Sequence, residues 1–210
     1  MSETLTREQF DFTGGHPALD FVNTKSDRLD ETPKEWLKSY DDLLDWGRQG
    51  DIVGPNDTAR LRKEAAQHEQ EASEVLKRAI TLREAIFRIY EQFALSKLPD
   101  QADVDILDAE LKRARSHLHL VVNNEDCIDI WDIQDEDLDA VLWSIAKSAA
   151  ELIASSDRRN VRICEAEDCA WLFLDTSKNH SRRWCNMQTC GNRAKARKHY
   201  QKKSQPATHA

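Results

Sequence analysis

Four of the five cysteines in this 210-residue chain fall in its last quarter, as two close pairs: Cys164-x4-Cys169 and Cys185-x4-Cys190, fifteen residues apart. No other feature restricts the fold as much. A segment of under 50 residues cannot be held by its own apolar core without a staple, and paired cysteines are one. A disulfide scaffold spreads its cysteines through a short exported chain. Here they cluster, and Met1 to Phe10 has acids where an export signal would have a basic end and an apolar stretch. Zinc favours thiolates in closed tetrahedral sites, and two short turns giving two ligands each satisfy it. The spacing fits none of the ferredoxin cluster patterns. The expectation is one structural Zn2+ on Cys164, Cys169, Cys185 and Cys190, with metal-free cysteines as the alternative. His180, between the pairs, is read as a loop residue rather than a replacement ligand, and Cys127, far upstream, as a buried unreactive thiol.

The residues between the pairs are expected to fold as a hairpin. Trp171 to Leu174 form one strand, Asp175 to His180 turn the chain, and Arg182 to Trp184 lead back to the metal. Cys190 then opens a helix running to about Lys203. Knuckle, hairpin and helix in that order make a treble-clef zinc finger. The polar, aperiodic run Ser155 to Asn160 marks its boundary. The expected domains are therefore 1–157 and 158–203, with 204–210 as a disordered tail.

The larger part reads as mostly helical. Gly14-Gly15 turns the chain before an apolar segment. Thr32, Pro33 and Glu35 predict a capped helix start, with Trp36, Leu37, Tyr40, Leu43 and Leu44 at helical spacing and Gly47 and Gly50 closing it. Residues 56–95 are strongly helical, Pro99 interrupts, and 101–115 form a further helix. Leu118, Leu120 and Val122 then alternate with other residues, and Cys127 to Trp131 follow after Asn123 to Asp126, which predicts a β-hairpin. Helix returns over 136–154. The fold class is α+β: a mostly helical N-terminal domain with one hairpin, plus the finger.

The formal net charge of -8 hides a split. Residues 158–210 hold 12 Lys/Arg and 4 Asp/Glu, a balance of +8, which leaves -16 on residues 1–157. Such a division speaks to partners rather than to fold. From Thr176 to Lys203 there are nine Lys/Arg and no acid. Lys178, Arg182 and Arg183 lie before the last helix, and Arg193, Lys195, Arg197, Lys198, Lys202 and Lys203 lie on it. Arg193 with Arg197, and Lys195 with Lys198 and Lys202, form two stripes. All but Lys203 are taken as nucleic-acid contacts, since neutralised phosphates release counterions. Asn192 either reads adenine or caps the helix start.

Cys190-Gly191-Asn192-Arg193 reads CGNR, and this region resembles the CGNR zinc-finger family. Gly14-Gly15 through Leu19-Asp20-Phe21-Val22-Asn23-Thr24 resembles the start of the ABATE domain that precedes this finger. The resemblance spans nearly the whole chain and implies a two-domain bacterial protein proposed as a stress-related transcription regulator.

The sequence thus points to a DNA-binding regulator whose larger domain serves dimerisation or a small effector. RNA binding through Trp171, Trp184 and Tyr200, or docking of the basic helix on an acidic protein surface, are the alternatives. No enzyme is expected: the chain has neither an H-x-E deaminase motif nor HExxH, and four thiolates leave zinc no open position. His16 is read as structural, and Asp20 and Asn23 as bonding local backbone. No apolar run is long enough to cross a membrane, mean hydropathy is -0.72, and a cytoplasmic location is expected, with oligomeric state open.

Overall fold

The computed structural model describes residues 10–122 and 127–204, without the side chains of Cys127, His199 and residues 202–204. Residues 123–126 between the expected hairpin strands, the Cys127 thiol expected to be buried, the tail 205–210 and the Lys202 side chain therefore lie outside the described residues. The elements in order are α1 (Pro17–Val22), β1 (Lys25–Ser26), β2 (Lys34–Glu35), α2 (Tyr40–Gln49), α3 (Pro55–Ala65), α4 (Glu69–Ala94), α5 (Gln101–Arg115), β3 (Leu118–Val122), β4 (Cys127–Trp131), α6 (Ala140–Ala154), β5 (Val161–Ile163), β6 (Leu172–Leu174) and α7 (Asn192–Ser204). Three antiparallel strand pairs, β1–β2, β3–β4 and β5–β6, complete an α+β fold.

Helix α4 is the axis of the body. Val75, Ala79, Leu82, Ile86, Ile89 and Tyr90 recur at helical spacing and are buried. Helices α1, α5 and α6 pack around it, and the apolar surface of α6, from Val141 through Ile145 to Leu152, closes the core. Two tyrosines bury their rings and satisfy their hydroxyls on main-chain carbonyls: Tyr40 on Leu138 at 2.6 Å and Tyr90 on Ala149 at 2.7 Å. The β3–β4 ribbon is anchored at its base, where Trp131 tilts against Trp143 and His117 stacks on the same indole at 3.8 Å. Farther out, Leu120, Val122 and Ile128 are exposed.

The helix expected from Thr32 begins instead at Tyr40, and Lys34–Glu35 form a strand. Two competing interactions explain the shift. Ser39 and Asp42 make a complete capping box of their own, with the Asp42 backbone N–H donating to Ser39 Oγ and the Ser39 N–H to Asp42 Oδ2. Glu35 is meanwhile taken by Arg83, whose guanidinium is 1% exposed and donates to both carboxylate oxygens at 2.6 Å. Arg83 also meets Glu84 and Thr24, so the 24–37 segment is tied to α4 through a buried charge network. The stretch 56–95 is two helices broken at 66–68, and the helix expected from 136 starts at Ala140.

The hairpin expected between the cysteine pairs also takes another form. β6 is the strand anticipated from Trp171 to Leu174, but its partner is β5, upstream of Cys164. Arg182 to Trp184 form no strand. Asp175 prevents one: fully buried, its carboxylate accepts hydrogen bonds from the main-chain N–H groups of Ser177 and Arg182 and from the Ser177 hydroxyl, which holds the chain in a tight loop. Burial alone would raise this carboxyl, but the Ser177 and Arg182 bonds outweigh it and keep the group below its ordinary range.

Candidate metal centre and basic surface

The four cysteine Sγ atoms lie within 4.8 Å of one another, and all four residues are buried. Cys169 and Cys185 are 3.8 Å apart at sulfur, and Cys185 and Cys190 3.7 Å. A tetrahedron of sulfurs at a Zn–S distance of about 2.3 Å has edges of about 3.8 Å. The donor set and its spacing fit zinc, and the separations are far longer than a disulfide bond. Electrostatics supply the same argument. Hydrogen bonds from Cys169 and Cys185 pull the Cys164 thiol far below its usual range, and through those contacts Cys169 and Cys185 are pushed up. A divalent cation held by the four sulfurs would favour their thiolate forms.

Each ligand is placed by local backbone. Cys164 follows β5 directly, and its N–H donates to the Trp171 carbonyl at 2.8 Å, extending the strand pairing to the metal. Cys169 ends a turn closed by its N–H on the Ala166 carbonyl, and the chain then passes through Ala170 in the left-handed region at φ 54°. Cys190 sits in a π-helical turn, Met187–Gly191, whose start is capped by the Asn186 side chain accepting from Gln188 and Thr189 N–H. Gly191 closes that turn onto the Asn186 carbonyl. A Cβ at Gly191 would lie 2.5 Å from Met187 Sδ and 3.4 Å from the Trp184 ring. Asn192 donates to the Gln188 carbonyl at 3.0 Å, which ties the first residue of α7 back to the preceding turn and is not the acceptor role of a helix-start cap. Arg193 donates to Cys190 Sγ at 3.4 Å and pairs with Asp168 at 3.2 Å. The segment Cys190 to Arg193 therefore supplies a candidate ligand, a close packing contact, a side-chain bond to the preceding turn and a donor to the Cys190 sulfur, in that order.

The finger is joined to the body along β6. Val161 and Leu172 belong to the main core. The free edge of β6 is covered by side chain and loop rather than by a strand: Asn23 donates to the Leu172 carbonyl at 2.9 Å and accepts its N–H at 3.1 Å, and Leu174 N–H donates to the Gly14 carbonyl at 2.8 Å. Gly14 N–H in turn donates to Asp20 Oδ1 at 2.7 Å. Trp171 Nε1 donates to the Lys25 carbonyl. Asp20 thus bonds local backbone, as its sequence neighbourhood suggests, whereas Asn23 reaches 149 positions along the chain. Nothing in the sequence marks that reach.

The basic residues divide into two groups. Arg182 faces its own finger, donating to the Cys185 carbonyl at 2.7 Å with its guanidinium 4.7 Å from the centre of the Phe173 ring. Arg183 pairs with Glu165, and Arg197 with both Glu167 and Asp168. With Arg193 these account for all four arginines of the set, each on a partner inside the finger. Lys178, Lys195 and Lys198 are exposed and make no ion pair among the described residues. The three acids of the first cysteine loop, Glu165, Glu167 and Asp168, are thus what Arg183, Arg193 and Arg197 hold.

Residues 15–156 match the ABATE family, described as "Putative stress-induced transcription regulator", and residues 160–203 match the CGNR zinc finger. No curated protein matches the chain in sequence. Among the described residues, no helix is long and apolar enough to cross a membrane.

Proposed function

The chain belongs to the ABATE family and carries a CGNR zinc finger, and from that premise we propose that it is a DNA-binding transcription regulator whose zinc folds the finger and whose α7 lysines contact phosphate. The observation that carries this reading is the exposed stripe of Lys195 and Lys198 on α7, free of ion pairs among the described residues, on a helix with no acidic residue. Lysines in that state are the side chains that gain most from a phosphate. The metal has four thiolates and no open position, so it serves folding rather than catalysis, and the protein acts by binding. The body carries charge of opposite sign and would be repelled by phosphate.

The test is fluorescence anisotropy of the zinc-loaded full chain with labelled duplex DNA and single-stranded RNA, from 50 to 200 mM salt, roughly the range over which phosphate contacts weaken steeply. Duplex DNA binds the more tightly, and Lys195→Ala with Lys198→Ala flattens the log–log salt slope by about 2. A preference for RNA transfers the finger to RNA, and no binding to either ends the nucleic-acid reading.

A further inference from the structure

A cavity of about 660 Å³ lies where the finger meets the body, within the roughly 300–1,000 Å³ that small-molecule sites occupy. It is lined by aromatic rings from both sides, Phe10 and Trp36 from the body and Trp171 from the finger, by the carboxylates of Asp11 and Asp27, and by Arg193.

What the walls can offer a ligand follows from which of their polar groups are already committed. Trp36 Nε1 donates to Ser26 Oγ and Trp171 Nε1 to the Lys25 carbonyl, so both indoles offer ring surface and no donor. Both ends of the Asn23 amide are used by Leu172. Arg193 is held by Asp168 and Cys190. The carboxylates of Asp11 and Asp27, by contrast, make no hydrogen bond or ion pair among the described residues. Four thiolates on one divalent ion would leave the adjoining cysteine site net negative as well. Beside the neutral side chains of Gln188, Thr189 and Asn192, the uncommitted charge of the cavity is therefore anionic, and three aromatic rings line it. The ring of Trp36 already holds a cation on one face, with Lys34 Nζ 3.3 Å from its centre.

We propose that this cavity binds a flat aromatic organic cation, its rings against Trp36 and Trp171 and its ammonium group against Asp11 and Asp27. Such a ligand touches the body and the finger at once, so it also stabilises the joint between them by mass action.

Three probes of nearly one shape separate charge from bulk: tryptamine, tryptophol and indole-3-propionate carry a cation, a neutral hydroxyl and an anion on the same ring and linker. Calorimetric titration of the zinc-loaded full chain is expected to show one tryptamine bound per chain, tryptophol at least about tenfold weaker, and indole-3-propionate weaker again. Asp11→Asn with Asp27→Asn, both surface changes, should erase the difference between tryptamine and tryptophol. Trp36→Ala should weaken all three together. The proposal is overturned by equal affinity for the three probes, by no tryptamine binding at millimolar concentration, or by a double variant that leaves tryptamine affinity unchanged. No nucleic acid enters this assay, so its failure and a failure of the DNA-binding reading are told apart.

Discussion

Replacing Asn23 by alanine should uncouple the finger from the body. The side chain is 3% exposed and makes two hydrogen bonds, at 2.9 and 3.1 Å, to the carbonyl and N–H of Leu172, itself fully buried. Alanine removes both partners and leaves a main-chain donor and an acceptor in an apolar setting. A typical buried hydrogen bond contributes about 1 kcal/mol net, but an orphaned group costs about 1–3 kcal/mol. Two orphans together put the loss at about 2–6 kcal/mol. For a chain of this size each kcal/mol lowers Tm by about 2–4 °C, so a loss near 3 kcal/mol lowers it by about 6–12 °C. The assay is urea and thermal unfolding of the zinc-loaded protein, read by tryptophan emission and, in parallel, by zinc release to a chromogenic chelator. In the parent the two signals move together, because β5 and β6 contribute Val161 and Leu172 to the body's core. In the variant, zinc release precedes the main transition. Asn23→Asp sharpens the test: it still accepts the Leu172 N–H but sets an oxygen against the Leu172 carbonyl, so at neutral pH it should be no more stable than Asn23→Ala. A loss under about 1 kcal/mol for Asn23→Ala, or coincident transitions in it, would refute the argument that this amide acts as a strand partner for β6.

Three further outcomes are expected. Cys185→Ser removes the central sulfur of the cluster, so stoichiometric zinc is lost and with it a contribution on the order of 10–16 kcal/mol to folding the finger; metal analysis showing one equivalent retained would contradict this. Glu35→Gln leaves the buried Arg83 guanidinium with Glu84 as its remaining carboxylate, and a broken buried pair of this kind costs about 3 kcal/mol in urea unfolding; an effect within error would mean that the network is not load-sharing. Burial pushes the Asp20 carboxyl up to about 7, against the opposing hydrogen bond from Gly14 N–H. The folded state therefore keeps a proton that the unfolded chain loses from about pH 4. Stability should fall as pH rises from about 4 to 7 and then level off, by at most about 4 kcal/mol. Asp20→Asn should flatten that window, and a parent whose stability rises across it would overturn the assignment.

The zinc ligands and the long helices were legible in the sequence because each is written in local spacing. Cysteines four apart in two pairs leave few chemistries, and the apolar repeat of α4 runs over 26 residues. The elements that differ are those decided by distant partners. Thr32 to Glu35 has a good helix-start pattern, yet Glu35 is taken by an arginine 48 positions away, and Ser39 with Asp42 supplies a second start a few residues on. β6 finds its partner upstream of the first cysteine because the buried Asp175 turns the following loop. Asn23 carried no sign of its role, since the residue it bonds is on the far side of the chain. In the CGNR segment the sequence shows the ligand Cys190, while the alternatives for Asn192 and the nucleic-acid contact expected of Arg193 stand beside intramolecular bonds it does not mark, from Asn192 to the Gln188 carbonyl and from Arg193 to the Cys190 sulfur.

That use changes which cations the proposed DNA contact can draw on first. Exposed ion pairs contribute only about 0–1 kcal/mol each, so the Arg197 pairs with Glu167 and Asp168 are weak enough for a phosphate to displace one acid by another anion. Exchange of that kind releases the carboxylates to solvent and gains little net charge, so Arg197 adds less to the salt slope than a free lysine does. Arg193 is held more firmly, because its guanidinium also donates to the Cys190 sulfur and leaving would remove a hydrogen bond that steadies this candidate ligand. Arg182, on the Cys185 carbonyl and the Phe173 ring, is part of the scaffold. On the proposed reading, affinity therefore begins with Lys195 and Lys198, extends to Lys178 where the backbone of the nucleic acid reaches the loop, and recruits Arg197 last. The acids of the first cysteine loop act as built-in competitors for the same arginines, which lowers non-specific attraction without removing the lysines' steering field.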